Sequence, residues 1–159
     1  MQPLIFRNNN KNMLPQRLSE VQKLIGDVIL NSKSPAGNWL QPRLEKLEKG
    51  KAELSVIIRE EMCNPFGNIH GGMMALVIDE TIGWAVVSLE AEHHYTSVTL
   101  NLDFLYAAAQ GERIFAKAEV LRQGKKVINV ESWVFNEKGI LLAKSSSNLV
   151  VTGMSPLVL

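Results

Sequence analysis

The sequence predicts an α+β domain in which an antiparallel sheet wraps around one long central helix, with an amphipathic helix ahead of it. Three observations carry this. Residues 71–89 are apolar on nearly every side of a helical wheel, which fits a helix enclosed by other structure rather than laid on a surface. From Val98 onward the apolar period falls from about 3.6 to 2, the mark of strands. Gly-containing turns part the successive strands, and tight turns join antiparallel neighbours. At 159 residues, 46% of them apolar, the chain has enough material for one domain with a full core.

The elements follow in order. Leu18, Val21, Ile25, Val28 and Ile29 recur at helical spacing, with Pro15 ahead and Ser32-Lys33-Ser34-Pro35-Ala36-Gly37 behind. They predict an amphipathic helix over about 16–30 and its stop. Residues 1–43 are read as an N-terminal extension of the same domain, and 44–159 as its main body. Residues 42–48 fit either a helix, through Leu44 and Leu47, or the first strand of a hairpin turning at Lys49-Gly50. The turn-rich run Asn64-Pro65-Phe66-Gly67-Asn68 leads through Ile69-His70-Gly71-Gly72 into the apolar helix, which His93-His94 are placed to cap. Val98, Leu100, Leu102 and Phe104 alternate with polar residues; Ile114 to Val120, 127–135 and 140–151 follow as a meander.

Composition excludes several classes. With 17 basic and 16 acidic side chains the net charge is +1, which gives no global field for nucleic acid or an anionic membrane. The single cysteine, Cys63, excludes an internal disulfide framework and Cys-cluster zinc, and it suits a reducing compartment. The early residues hold only the apolar trio Leu4-Ile5-Phe6 and an Asn-rich stretch, so no signal peptide is expected and the cytoplasm is. Asp79 and Glu80 interrupt the centre of the apolar window, which argues against a membrane span. Mean hydropathy is slightly positive, a little high for a monomer.

Two features can carry chemistry. An aspartate halfway along a buried apolar helix costs several kcal/mol unless paired, so Asp79 is either bonded to a neighbouring strand, part of a solvated edge, or functional. Glu80 lies about 100° further round, and one of the two is expected to be an ordinary paired carboxylate. At the helix mouth, His70-Gly71-Gly72 presents unpaired N–H groups and the positive end of the dipole to an oxyanion; otherwise the glycines serve the turn and His70 is a cap. His70 and Asp79 are nine positions apart, roughly 13 Å along a helix, and cannot reach the same bond. Two such helices packed antiparallel about a two-fold axis bring the mouth of one to the middle of the other. The spacing therefore predicts either no site or a site shared between two copies. Cys63 reads as a small buried hydrophobe rather than a thiol nucleophile, and the histidines are too scattered for a metal site.

The run from Asn64 to Gly72, with Asp79-Glu80, Gly83, Ser97-Val98-Thr99-Leu100-Asn101-Leu102, Gly111, Gly124-Lys125 and Gly139-Ile140-Leu141-Leu142-Ala143, resembles the hotdog-fold acyl-CoA thioesterases of the phenylacetic-acid-degradation type. These belong to the 4-hydroxybenzoyl-CoA thioesterase-like superfamily, and the resemblance covers about residues 51–152. It implies a hotdog fold, a homodimer often paired into a dimer of dimers, and hydrolysis of an acyl-CoA thioester to free acid and CoA, with no metal and no separate cofactor. It implies Asp79 as general base or nucleophile and the Gly71 N–H as oxyanion donor. Asn64 and His70 would assist around the carbonyl and sulfur, and Ser97 would hold water near the acid. Asp79 and Ser97 would come from one subunit and the other three from its partner. Desolvation is expected to raise the Asp79 carboxyl. Strict alternation turns Ser97 away from the Val98 face, a conflict for its role. Gly72 is a further substrate-binding candidate, and Arg113, Arg122, Lys125 and Lys126 are candidates for the CoA phosphates. The alternatives are a non-catalytic acyl-CoA binding or sensing protein, and a hotdog dehydratase or hydratase.

Overall fold

The computed structural model describes residues 18–155; Pro15, the apolar trio and the start of the expected helix at 16–17 lie outside them. Six strands form one sheet: β1 (Arg43–Glu48), β2 (Lys51–Ile57), β3 (Tyr95–Phe104), β4 (Arg113–Gln123), β5 (Val127–Asn136) and β6 (Leu141–Val151). Their spatial order is β1-β2-β4-β5-β6-β3, and every neighbouring pair is antiparallel. Residues 42–48 resolve as the first strand of a hairpin, because Gly50 takes the left-handed turn at φ +75° that closes it. The meander holds for β4, β5 and β6. β3, however, lies at the sheet edge beside β6 and not beside β4. Residues 105–112 make that crossing possible: they are too long for a tight turn and pair instead with Ile58 and, through Ala109, with Asn68.

The long helix, α3 (Gly71–Val87), packs on the concave face of this sheet. Met74, Val77, Ile78, Ile82 and Ala85 are buried against Leu44 and Leu54, Ile114 and Ala116, Ile128 and Val134, and Leu142. Polar groups inside are satisfied: the buried Thr81 hydroxyl donates to the Val77 carbonyl at 2.7 Å. Enclosure is one-sided. Gly72 and Asp79 are exposed, and Ala75, Leu76, Glu80 and Gly83 only half-buried, so a stripe of α3 faces outward between β3 and the N-terminal segment. Among the described residues no helix is long and apolar enough to cross a membrane.

The N-terminal segment corrects the expected helix. One turn, α1 (Leu18–Val21), passes into a 3₁₀ turn at Gln22–Leu24 and stops at Gly26, whose φ is +98°. Gly26 and Ile29 then donate to Leu44 and Pro42, and the Asp27 carbonyl accepts from Leu44, so residues 26–29 run beside β1 and cover its free edge. Pairing with a strand outweighs a weak helical tendency here. Conversely the stretch read as a stop starts a helix, α2 (Pro35–Leu40): Ser34 accepts from the Gly37 N–H at 3.0 Å and Pro35 fills the first position. Val21, Ile29 and Leu40 join the main core.

Two further details fix α3. Its end is capped by Ser88, whose hydroxyl meets the Glu48 carbonyl at 2.9 Å, so His93 and His94 sit in the following loop and do not cap it. On its outer side Glu80 accepts from the Ser34 hydroxyl at 2.9 Å and from the Trp84 indole N–H at 3.1 Å, the paired carboxylate that the sequence requires. A Cβ on Gly37 would stand 2.2 Å from that carboxylate. Gly37→Ala must therefore push Glu80 off both donors, and should lower stability by about 1–3 kcal/mol. An unchanged urea midpoint would show that the clamp holds nothing.

Candidate active site

The loop before α3 is built to deliver His70 to the helix mouth. The Asn64 side-chain oxygen accepts from the Phe66 and Asn68 amides at 2.9 and 3.2 Å, and Gly67 turns the chain at φ +75°. This commits the carboxamide oxygen to the loop, and among the described residues the Asn64 NH₂ has no acceptor. The His70 amide donates to the Met62 carbonyl at 2.8 Å, and Cys63 bridges Ile69, so the entry angle is fixed.

His70 is the N-cap of α3: its Nδ1 accepts from the Gly72 N–H at 2.9 Å. That bond separates the two glycines. The Gly72 amide is spent on the cap, whereas among the described residues the Gly71 amide donates to no acceptor and stands at the positive end of a 17-residue helix. Gly72 is thus no amide donor for a ligand, although it lines the neighbouring groove. Because Nδ1 accepts, the neutral imidazole carries its proton on Nε2. A Cβ at Gly71 would meet the Phe104 ring at 3.1 Å, which keeps this position bare.

Asp79 and Ser97 form the second half. The Ser97 hydroxyl donates to Asp79 Oδ1 at 3.2 Å, across a groove of about 480 Å3 between α3 and β3 lined by Leu76, Thr99 and Leu100. The conflict over Ser97's face is resolved by a β-bulge: Ser97 pairs with Leu149 and Thr99 with Asn148, leaving Val98 as the extra residue. The bulge flips the alternation, so Ser97 shares the α3 side with Leu100 and Leu102. Nothing in the Thr-Ser-Val-Thr run signals it, and the bulge is the functional feature that sequence reasoning missed.

Asp79 itself corrects an expectation. It is exposed in the single chain rather than buried within the apolar helix. The two halves also stay apart. Gly71 and Asp79 are eight residues apart on a continuous helix, about 12 Å. One chain brings Asp79 to Ser97 and sets Asn64, His70 and Gly71 along the loop that enters α3, but does not join the two halves.

The remaining candidates separate clearly. Arg113 donates to the Ser55 hydroxyl at 3.1 Å and lies at the opposite end of β4 from Arg122, about 30 Å away, so the four cations do not form one cluster within a chain. Arg122, Lys125 and Lys126 are exposed around the β4–β5 turn and have no ion pair among the described residues. The Cys63 thiol donates to the Arg59 carbonyl at 3.3 Å. Among the described residues no group of three or more His, Cys, Asp or Glu could hold a metal ion.

The helix thus carries an open amide at its mouth and, at its middle, an acid paired with a hydroxyl of β3. Residues 66–143 match the model of the thioesterase superfamily. A relative in Sulfurisphaera tokodaii named "Putative esterase" is 30% identical over 127 residues, 80% of this chain and 90% of that protein. Human acyl-coenzyme A thioesterase 13 is 34% identical over 76 residues, 48% of this chain and 54% of that enzyme. The solved PaaI protein of the Escherichia coli phenylacetic acid degradation operon superposes with a TM-score of 0.73 at 20% identity, covering 77% of this chain and 88% of that one. The chain belongs to the thioesterase superfamily and has the hotdog fold.

The cap bond makes a direct prediction. Nitrogen-15 NMR of the neutral His70 ring should show a protonated Nε2 and a bare, hydrogen-bonded Nδ1. A protonated Nδ1 would contradict the geometry.

Proposed function

We propose that this thioesterase hydrolyses acyl-CoA in sites shared between two copies of the chain. The observation that carries the reading is the Ser97–Asp79 bond facing a groove, on the helix whose mouth offers the open Gly71 amide. Gly71, His70 and Asn64 of one subunit would close on Asp79 and Ser97 of the other. The chain's likeness to a named acyl-coenzyme A thioesterase supports CoA thioesters as the substrate class.

The chemistry follows from the donors. Water attacks the thioester carbonyl while Asp79 takes its proton; with Oδ1 engaged by Ser97, Oδ2 is left for the water. The carbonyl oxygen becomes an oxyanion, and the Gly71 N–H stabilises it in the direction of the helix dipole. The Asn64 NH₂ and His70 Nε2–H are the further donors at that end. Collapse breaks the C–S bond, the proton held by Asp79 passes to the departing sulfur, and free acid and CoA leave. The reading needs no metal or cofactor.

The dimer is supported by two unfinished surfaces. β3 is a long edge strand carrying exposed Val98 and Phe104, and such edges ask for a partner. Beside it lies the open stripe of α3. A dimer of dimers and a cytoplasmic location remain part of the proposal, the latter resting on the lone thiol. For the CoA phosphates the β4–β5 turn is favoured: Ser97, Leu149, Ile128 and Gln123 lie in one row across the sheet, which puts Arg122, Lys125 and Lys126 at the Ser97 end.

Asp79→Asn should reduce acyl-CoA hydrolysis by about 10²–10⁴-fold while the circular dichroism spectrum is retained. Thiol release at the unaltered rate from the folded variant would end the mechanism.

A further inference from the structure

Phe104 ends β3, and its neighbours are small on both sides: Ala143 pairs with it across the sheet, and Gly71 lies against it on α3. Leu100 and Leu102, earlier on the same face of the strand, pack against the core, but Phe104 is 58% exposed. A single exposed phenylalanine argues nothing by itself. Its place does. A Cβ at Gly71 would meet Cζ, Cε1 and Cε2 of the ring at 3.1, 3.5 and 3.6 Å, so the end of the ring rests on the residue whose amide is open.

We infer that Phe104 is a further substrate-contacting residue: its ring walls the pocket that receives the thioester oxygen and keeps water from it. The inference rests on the acyl-CoA reading above. Direction supports it first. Helical Cα–Cβ bonds tilt toward the N-terminus and first-turn N–H groups point the same way, so a ring met by a Cβ at Gly71 stands at the mouth that the amide faces. Distance is the second support. A Cβ lies about 2.5 Å from its own nitrogen, which puts Cζ within about 5.6 Å of the Gly71 nitrogen, and an oxygen accepting from that amide lies about 2.9 Å from it. Bound oxygen and ring therefore share one small space.

The chemistry suits an apolar wall. A phenyl ring has no acceptor oxygen to compete for the amide, and it displaces water that would otherwise solvate the oxyanion. With water gone, the fixed N–H and the helix dipole act through a lower dielectric and hold the developing charge more strongly. A leucine keeps that property, whereas a glutamine fills similar space and brings a polar group into it. Because ring and Gly71 touch within one chain, Phe104 belongs to the half of the shared site that carries Asn64 and His70, opposite the half that carries Asp79 and Ser97.

Hydrolysis of the acyl-CoA that the unaltered protein cleaves fastest is measured for Phe104→Leu, Phe104→Gln and Phe104→Ala, with oligomeric state followed by light scattering. The glutamine and alanine variants should lower kcat about tenfold or more with KM changed less than about threefold, and Phe104→Leu should stay within about threefold of the unaltered kcat. Refolded in equal mixture with Asp79→Asn, Phe104→Gln should regain about a quarter of the unaltered rate, because each mixed dimer holds one intact site. Mixed with an Asn64→Ala, His70→Ala double variant it should regain nothing beyond the mean of the two parents. Phe104→Gln keeps the size of the side chain, so it tests the proposal even if Phe104→Ala does not fold. Equal kcat in folded Phe104→Gln and Phe104→Leu overturns the inference and leaves the thioesterase reading standing. So does a smaller assembly in Phe104→Gln, which would give the ring to the contact between subunits, and so does recovery with the double variant. No thiol release from any acyl-CoA by the unaltered protein would instead remove the acyl-CoA reading, and this inference with it.

Discussion

The rigidity of α3 is the constraint on which the site depends. One unbroken helix carries both an open amide at Gly71 and a carboxylate at Asp79. Helical rise keeps them about 12 Å apart. No side-chain rotation closes that distance, so the base and oxyanion donor of the proposed mechanism could act on one carbonyl only with a second helix laid against the first. The one-sided burial of α3 and the bare edge of β3 are the surfaces such a pairing would use. Rigidity would also serve the proposed mechanism: donors fixed by a helix and its cap need no reorganisation as charge develops.

Around that helix the chain spends local rules to place a few atoms. The Asn64 oxygen closes a loop and leaves its NH₂ free. The His70 ring caps the helix through Nδ1, which removes the Gly72 amide from service and orients Nε2. A bulge at Val98 breaks the sheet register so that Ser97 can reach Asp79. Each feature lowers regularity while the core under it, from Ile78 to Leu142, stays closely packed. The Glu80 clamp does comparable work on the outer side, fastening α2 to α3 beside the acid.

Much of this was legible in the sequence, and the failures have physical causes. The apolar window 71–89 and the period-2 strands gave helix and sheet, because both signals are long and strongly periodic. Spacing alone gave the separation of His70 from Asp79. The segment 16–30 misleads because a short apolar period also suits a chain that covers a sheet edge, and Gly26, at φ +98°, breaks the helix inside that period. Ser34-Pro35 serves equally as the stop of one element and as the N-cap of the next. The place of β3 depends on long-range pairing, and the Val98 bulge on the twist of a finished sheet; neither leaves a local trace. Asp79 was expected to be buried because a uniformly apolar helix suggests full enclosure, whereas one copy of the chain supplies only part of it.

The shared site is tested most directly by subunit complementation. Asp79→Asn lacks one half of each site, and an Asn64→Ala, His70→Ala double variant lacks the other. Unfolded together in equal amounts and refolded, about half of the dimers are mixed, and each mixed dimer has one intact site and one doubly damaged site. The account predicts acyl-CoA hydrolysis returning to about a quarter of the unaltered rate. Activity no higher than the sum of the two parents, with mixed dimers demonstrably formed, would mean that each chain completes its own site.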